Sequence, residues 1–269
     1  MTAAPLWSPS PNCDARDAAI DMVVIHYTDM KSAEAALAWL TAPESFVSAH
    51  YLIAADGTVA QLVKEADRAW HAGISYWQGI RDNNARSIGI ELDSAGHRGG
   101  AAPVFPSAQI DALLRLLDGI RTRHAVPAHN VVAHSDIAPH RKIDPGEAFP
   151  WARLADAGHA LEPAAAPTPE PAFCAPAFAQ ALSAIGYAPA LARIDDVFPQ
   201  PPAPRTARTL PAGANPAPAI LPSAADGTLW QPVCDAFHRR FLADRLGQAP
   251  DARALTLAEA LAREVAGSA

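Results

Sequence analysis

Short apolar runs rich in β-branched residues recur along the first half of the chain and predict the strands of a buried sheet. A longer stretch, residues 49–63, holds two such runs joined at Asp56-Gly57, and this junction predicts a β-hairpin. The remaining strand-like runs are residues 22–27, 87–92 and 130–134.

Two helices are predicted between these strands. Residues 32–40 carry Ser32 at the position of an N-cap. From Ser107 onward, apolar residues recur with helical spacing and mark one face of a long amphipathic helix that ends before Pro127. The alternation of strands and helices predicts one α/β domain.

The second half of the chain has a different composition. Helical apolar stripes predict a small all-α region, whose last helix would start at a Thr256 N-cap, with Glu259 completing a capping box. Proline and alanine dominate two other stretches and predict irregular structure there. The predicted division is a catalytic domain at 1–160, an Ala/Pro-rich linker at 161–174, and a helical domain at 175–269 with helices at 175–187, 229–246 and 256–266 and a Pro-rich insertion at 198–222.

Charge and composition exclude some partners. A net charge of −7 and a pI near 5.8 argue against nucleic-acid binding, which normally requires a basic patch. No run approaches the ~18 apolar residues of a membrane span, and no secretory signal begins the sequence. A cytoplasmic location is therefore expected, or a periplasmic one if an export signal was removed; oligomeric state is left open. The three cysteines are expected to be free thiols, although an exported protein could join Cys174 to Cys234.

Two histidines and an aspartate point to a metal. His26 and His134 each end a predicted strand, and Asp144 follows in the next loop. Catalytic zinc commonly takes three such ligands and leaves one position open, so these residues are the predicted zinc ligands. The alternatives to metal binding are that His26 is a hydrogen-bonded structural residue and that the segment around His134 is an ordinary charged turn.

Two further charged residues fit the same centre. Glu91 ends the apolar run 87–92, where a carboxylate is costly unless it is paired or used. It is the candidate general base, although a salt bridge to Arg86 is an alternative. Lys142 could place positive charge against a developing oxyanion.

With these five residues in this order and in their sequence context, the chain resembles the zinc-dependent N-acetylmuramoyl-L-alanine amidases of the AmpD type. This family is related to phage lysozyme-amidases and peptidoglycan recognition proteins. The resemblance covers roughly residues 5–155. It implies a central mixed β-sheet flanked by helices, and it assigns the same five residues as zinc ligands, catalytic glutamate and catalytic lysine. The motifs that carry it are "IDMVVIHYT", "SAHYLIAADGTVAQLV", "RAWHAGISYWQG", "NNARSIGIEL" and "VVAHSDIAPHRKIDPGEAFPW".

The resemblance also implies the reaction, which is hydrolysis of the amide between N-acetylmuramic acid and the L-alanine of the stem peptide. The expected partners are anhydro-muropeptides in cell-wall recycling, or polymeric peptidoglycan. Trp70, His71, Asn84 and Arg86 are the expected substrate-binding residues, with a structural role in its loop as the alternative for His71. The tail more faintly resembles a three-helix peptidoglycan-binding module, with a helical cap as the alternative. The competing function is a non-catalytic peptidoglycan recognition protein on the same fold.

Overall fold

A mixed β-sheet with helices on both faces forms the centre of the molecule. The computed structural model describes residues 4–161, 172–199 and 227–268. The strands in these ranges are β1 (Leu6–Trp7), β2 (Cys13–Ala15), β3 (Met22–Tyr27), β4 (Tyr51–Ile53), β5 (Val59–Gln61), β6 (Asp67–Ala69), β7 (Ser87–Leu92) and β8 (Val131–Ala133). The α-helices are α1 (Ala33–Thr41), α2 (Asn83–Arg86), α3 (Ser107–Arg123), α4 (His134–Ile137), α5 (Trp151–Asp156), α6 (Ala175–Ile185), α7 (Ile194–Val197), α8 (Trp230–Phe241) and α9 (Ala252–Gly267).

The order of strands explains where chemistry can gather. Within the described ranges, six strands form the main sheet in the order β1-β5-β4-β7-β3-β8, and β2 pairs with β6 apart from it. Strands β4, β7, β3 and β8 run parallel to one another, whereas β5 is antiparallel to β4. Four carboxyl ends therefore meet at one edge of the sheet, where ligands bind in many α/β proteins.

Strand β3 lies at the centre of two hydrophobic layers. All six of its residues are buried, and their side chains alternate between the faces of the sheet. Val23 and Ile25 pack in the same apolar cluster as α3. Met22 and Val24 pack in a second cluster with α6, α8 and α9. Helices on both faces explain why this strand is continuously apolar.

The C-terminal helices pack directly on the sheet. Phe178 of α6 and Phe237 of α8 are fully buried and belong to the same cluster as Val132 of β8. The predicted mixed sheet flanked by helices, with further helices toward the C-terminus, is confirmed. The division at 1–160, 161–174 and 175–269 stays a prediction, because residues 162–171 and 200–226, with most of the linker and of the Pro-rich insertion, lie outside the described residues.

The local signals of the sequence have mixed outcomes. Ser32 caps α1 by accepting a hydrogen bond from Ala35 N at 3.3 Å, and the hairpin turns at Gly57 with φ of 87°, as predicted. The predicted Thr256 cap is wrong, because α9 begins four residues earlier, at Ala252. Its N-cap is Asp251, whose carboxylate accepts from the backbone N–H of the third helical residue at 3.1 Å. Thr256 lies inside the helix.

Two further sequence expectations concern membranes and thiols. Among the described residues, no helix is both long and apolar enough to cross a bilayer. All three cysteines fall within the described ranges, and each is free.

Candidate metal centre and its cleft

The carboxyl edge of the parallel strands brings distant residues together. In the register of β3 with β7, His26 lies opposite Glu91. On the other side of β3, Ile25 pairs with Ala133, so His134 follows beside His26 as the first residue of α4. The predicted strand at 130–134 is therefore three residues long, and His134 begins a helix instead of ending a strand.

Asp144 reaches the same point from the loop after α4. Its backbone carbonyl accepts a hydrogen bond from Ser135 N at 3.0 Å, which ties this loop to the start of the helix. The side chain then meets both histidines. Sheet register and one loop contact thus assemble three residues that span 118 positions of sequence.

The three side chains form a nearly equilateral triangle of possible ligand atoms. His26 Nδ1 lies 2.9 Å from His134 Nδ1 and 3.1 Å from Asp144 Oδ2, and His134 Nδ1 lies 3.0 Å from the same oxygen. All three residues are buried, with exposed fractions of 2%, 3% and 6%. Within the described part of the chain, this is the group of His, Cys, Asp and Glu side chains that could hold a metal ion.

Every arrangement of protons leaves at least one unfavourable contact in this triangle. A neutral imidazole has one N–H and one lone pair, and an ionised carboxylate only accepts hydrogen bonds. If both Nδ1 atoms carry a proton, the two N–H groups oppose each other; if one or neither does, at least two lone pairs face each other. A cation at a common centre makes all three contacts favourable. Two imidazoles and one carboxylate form a ligand set that suits zinc, so the donor chemistry fits this metal.

The electrostatics of the triangle favour the ligand forms of its members. Burial lowers the pKa of His134 well below its ordinary value, which keeps the imidazole neutral. Burial by itself would raise the pKa of Asp144, but the adjacent His134 and His26 outweigh it and hold that pKa well below its ordinary value. Neutral imidazole and ionised carboxylate are the states that bind metals.

Glu91 and Lys142 stand beside this triangle and line the same cleft. Burial raises the pKa of Glu91 to about 6, and its Oε2 atom has no hydrogen-bond partner among the described residues. A carboxylate with a pKa near neutral and an uncommitted oxygen suits a group that accepts and returns a proton. Lys142 directly follows Arg141 and is held through its backbone N–H, which donates to Ala138 O at 3.0 Å.

The cleft, of about 270 Å³, extends from the triangle along an apolar wall. Trp70 and His71, both predicted to bind substrate, line it. The indole N–H of Trp70 donates to Asp14 at 3.1 Å, which fixes the ring plane. His71 is 9% exposed and lies with its Nδ1 atom 3.1 Å from His26 Nε2. The apolar wall consists of Met30, Ala36, Trp39, Leu40, Val47 and Trp70.

Asn84 and Arg86 do not line this cleft. Arg86 immediately precedes β7, so it lies at the end of the strand opposite to Glu91. Its guanidinium donates to both carboxylate oxygens of Asp21, at 2.6 and 2.5 Å. Asn84 is 7% exposed and turns its amide oxygen toward the backbone of the His71 loop. The arrangement does not support a substrate contact for either residue, nor the alternative salt bridge between Arg86 and Glu91.

Several long-range contacts around the centre escaped sequence reasoning. Arg141 is partly buried, and its guanidinium donates to the carbonyls of Ala72 and Ile74. Asp136 is fully buried and accepts from Arg240 of α8 at 2.6 Å and from Tyr187 at 2.7 Å. No local pattern marks these contacts, because their two partners are 51 to 104 positions apart in sequence.

Comparison with known proteins places this arrangement among relatives. A family model described as N-acetylmuramoyl-L-alanine amidase matches residues 16–147, which include all five residues of the centre. AmiD of Escherichia coli is 46% identical over 151 residues, and the match spans about half of each protein, 52% of this chain and 53% of AmiD. AmpD of Citrobacter freundii, a 1,6-anhydro-N-acetylmuramyl-L-alanine amidase, is 36% identical over 54% of this chain and 86% of its own length.

Solved structures extend the likeness to the helical tail. Escherichia coli AmiD, in complex with the substrate anhydro-N-acetylmuramic acid-L-Ala-D-gamma-Glu-L-Lys, aligns with a TM-score of 0.71 and 31% identity over 93% of this chain and 92% of its own. AmpDh3 of Pseudomonas aeruginosa, in complex with anhydromuramic pentapeptide, aligns with a TM-score of 0.67 and 27% identity over 91% of this chain and 92% of its own.

Proposed function

The chain belongs to the N-acetylmuramoyl-L-alanine amidase family, and we propose that it uses zinc to hydrolyse the amide between N-acetylmuramic acid and the L-alanine of a stem peptide. The predicted resemblance to AmpD-type amidases is confirmed. The observation that carries the proposal is the buried triangle of His26, His134 and Asp144, in which a central cation makes all three contacts favourable. Two named relatives are complexes with anhydro-muropeptides, which supports this class of substrate.

Each polar group of the cleft has a role in the proposed reaction. Zinc, held by the two imidazoles and the aspartate, would supply Lewis acidity that polarises a carbonyl and makes water more acidic. Glu91 accepts a proton from the attacking water while the water oxygen adds to the lactyl carbonyl carbon. The carbon–nitrogen bond then breaks, and Glu91 returns the proton to the departing nitrogen of L-alanine. Lys142 places its positive charge against the oxyanion, and such electrostatic stabilisation is commonly worth ~100-fold or more in rate.

The cleft also accommodates the rest of the substrate. The apolar wall includes the indole side chains of Trp39 and Trp70, a residue type on which a sugar ring can pack. We further propose the 1,6-anhydro form of the sugar as the preferred substrate, supported by the ligands of the two related complexes. A cytoplasmic location, where such fragments are recycled, stays a prediction from the sequence.

The test uses the full chain loaded with zinc. Anhydro-N-acetylmuramyl-tripeptide and, separately, intact sacculi are incubated with the protein, and mass spectrometry follows release of the free stem peptide. We expect rapid cleavage of the fragment by the wild type, and cleavage slower by ~100-fold or more in Glu91→Gln with unchanged zinc content. Cleavage of sacculi in preference to fragments would overturn the proposed substrate form. Binding of the fragment without any product would instead favour the non-catalytic recognition protein.

A further inference from the structure

Both histidines of the triangle turn their outer ring nitrogen to one dipeptide. His134 Nε2 lies 3.3 Å from the carbonyl oxygen of Ala72. His26 Nε2 lies 3.1 Å from Nδ1 of His71. A metal-binding histidine needs its other ring nitrogen to be protonated and held, because this sets both the tautomer and the direction of the metal-facing lone pair. The dipeptide His71-Ala72 therefore holds both imidazoles.

Two neighbouring oxygen atoms fix which nitrogen donates in each hydrogen bond. One is a carbonyl oxygen, which can only accept, and the other belongs to a hydroxyl that already donates its proton elsewhere. Ala72 O only accepts, so His134 Nε2 carries the proton. On the other branch, the Ser87 hydroxyl donates to the carbonyl of Asn83 in a very short hydrogen bond. The Ser87 oxygen must then accept from His71 Nε2, 3.2 Å away, which leaves His71 Nδ1 as the acceptor for His26. Both Nδ1 atoms of the triangle consequently present lone pairs.

The position of the dipeptide depends on one buried side chain. Asn84 accepts with its single amide oxygen from His71 N at 3.0 Å and from Ala72 N at 2.7 Å. Only the oxygen of the amide can face two N–H donors, so the orientation of this side chain is unambiguous. From the far side, Arg141 donates to the Ala72 carbonyl at 2.6 Å.

The His71 ring packs directly against the backbone of Gly89, which restricts its position. A Cβ atom at Gly89 of β7 would lie 2.4 Å from the ring of His71, so the ring occupies space that only glycine leaves free. Because the His71 ring is confined in this way, a movement of the His71-Ala72 backbone would also move the hydrogen-bond partners of His26 and His134.

We propose that Asn84 is a positioning residue of the metal centre, which sets the tautomer and direction of His26 and His134 by fixing the backbone of His71-Ala72. The inference rests on the proposed zinc centre. It replaces the substrate contact expected for Asn84 from the sequence, and it gives His71 a second role besides lining the cleft.

Two substitutions of similar size separate this role from simple packing. Asn84→Asp keeps an oxygen that can accept from both N–H groups, whereas Asn84→Leu keeps the volume and removes every acceptor. The matched control is Asn130→Leu. Asn130 is also buried, at 3% exposure against 7% for Asn84, and it bonds Trp77 and Asp21 beside the amino end of β8, at the sheet edge opposite to the metal triangle.

The measurement is zinc affinity of the full chain by competition with a chromophoric chelator, with thermal unfolding recorded in parallel. We expect Asn84→Leu to bind zinc about 10- to 100-fold more weakly, the usual cost of losing a residue that orients a ligand. Asn84→Asp should remain near wild type. Asn130→Leu should unfold at a lower temperature without losing zinc affinity.

Three results would overturn the inference while leaving the proposed function intact. These are wild-type zinc affinity in Asn84→Leu, equal losses in the Asp and Leu variants, and an equal loss in Asn130→Leu. Failure of the wild-type chain to bind zinc would instead refute the proposed function. Should Asn84→Leu not fold, long-range ¹⁵N–¹H spectra of the zinc-loaded wild type still decide: His71 protonated at Nε2 supports the proposed hydrogen-bond direction, and protonation at Nδ1 contradicts it.

Discussion

The ion pair between Asp136 and Arg240 connects the helical tail to the helix that carries His134, and its loss has a calculable cost. The exposed fractions of the two side chains are 0% and 3%, and their closest atoms are 2.6 Å apart. Arg240 also donates to Val131 O at 3.1 Å and lies 4.1 Å above the ring of Trp151. Arg240→Met keeps most of the side-chain length and leaves the buried carboxylate without its cation.

Removing one partner of a buried pair typically costs about 3 to 5 kcal/mol. Asp136 would retain hydrogen bonds from Ala133 N and Tyr187, so we expect a value near the lower end, about 3 kcal/mol. At roughly 2 to 4 °C per kcal/mol for a chain of this size, the melting temperature should fall by about 6 to 12 °C. Circular dichroism of the metal-free protein during heating measures this directly.

The matched control is Arg253→Met, which removes an exposed cation from the same region. Arg253 pairs with Asp244 at 3.0 Å, and about half of each side chain is exposed. Exposed pairs contribute about 0 to 1 kcal/mol, so this variant should melt within a few degrees of wild type. Equal shifts in the two variants would refute the claim that burial gives the Asp136 pair its larger contribution.

Three further outcomes are expected. Chelation should abolish hydrolysis and added zinc should restore it; activity that persists in metal-free protein would contradict the metal assignment. Since burial raises the pKa of Glu91 to about 6 and the base acts when ionised, kcat/KM should be level above pH 6 and fall about tenfold per unit below it, at constant zinc content. In Glu91→Ala this acidic limb should vanish, with activity reduced ~100-fold or more. Asp251→Ala should destabilise the protein by ~1 kcal/mol through loss of the α9 cap, more than Thr256→Ala does in urea titrations.

Local sequence signals predicted five strands of the main sheet and the longer helices, with several of their ends, but none of the short elements such as β1, β2, β6 and α5. The apolar run 22–27 and the turn at Asp56-Gly57 act through neighbours in sequence, so periodicity and turn chemistry suffice to find them. The error at Thr256 shows where this fails. Ser, Thr and Asp all make good N-caps, and the sequence offers Asp251 and Thr256 five residues apart. Only the packed helix, which is buried at residues 254–258 and again at Leu261, selects the first.

The residues of the candidate centre could be named from the sequence because their types and positions at strand ends are local features. His26, Glu91, His134, Lys142 and Asp144 were identified in this way, and the structure gathers them into one cleft. What the sequence determined by itself was the chemistry available to the protein, since side-chain type and strand periodicity are properties of short segments.

Only the tertiary structure decided how that chemistry is held. Asn84 and Arg86 are two residues apart in sequence, yet one fixes the loop beside the metal triangle and the other binds Asp21 at the far edge of the sheet. Arg240 reaches Asp136 across 104 residues. Such contacts depend on strand order and on which helix covers which face, and these are settled by burial over the whole chain and by no pattern within a segment.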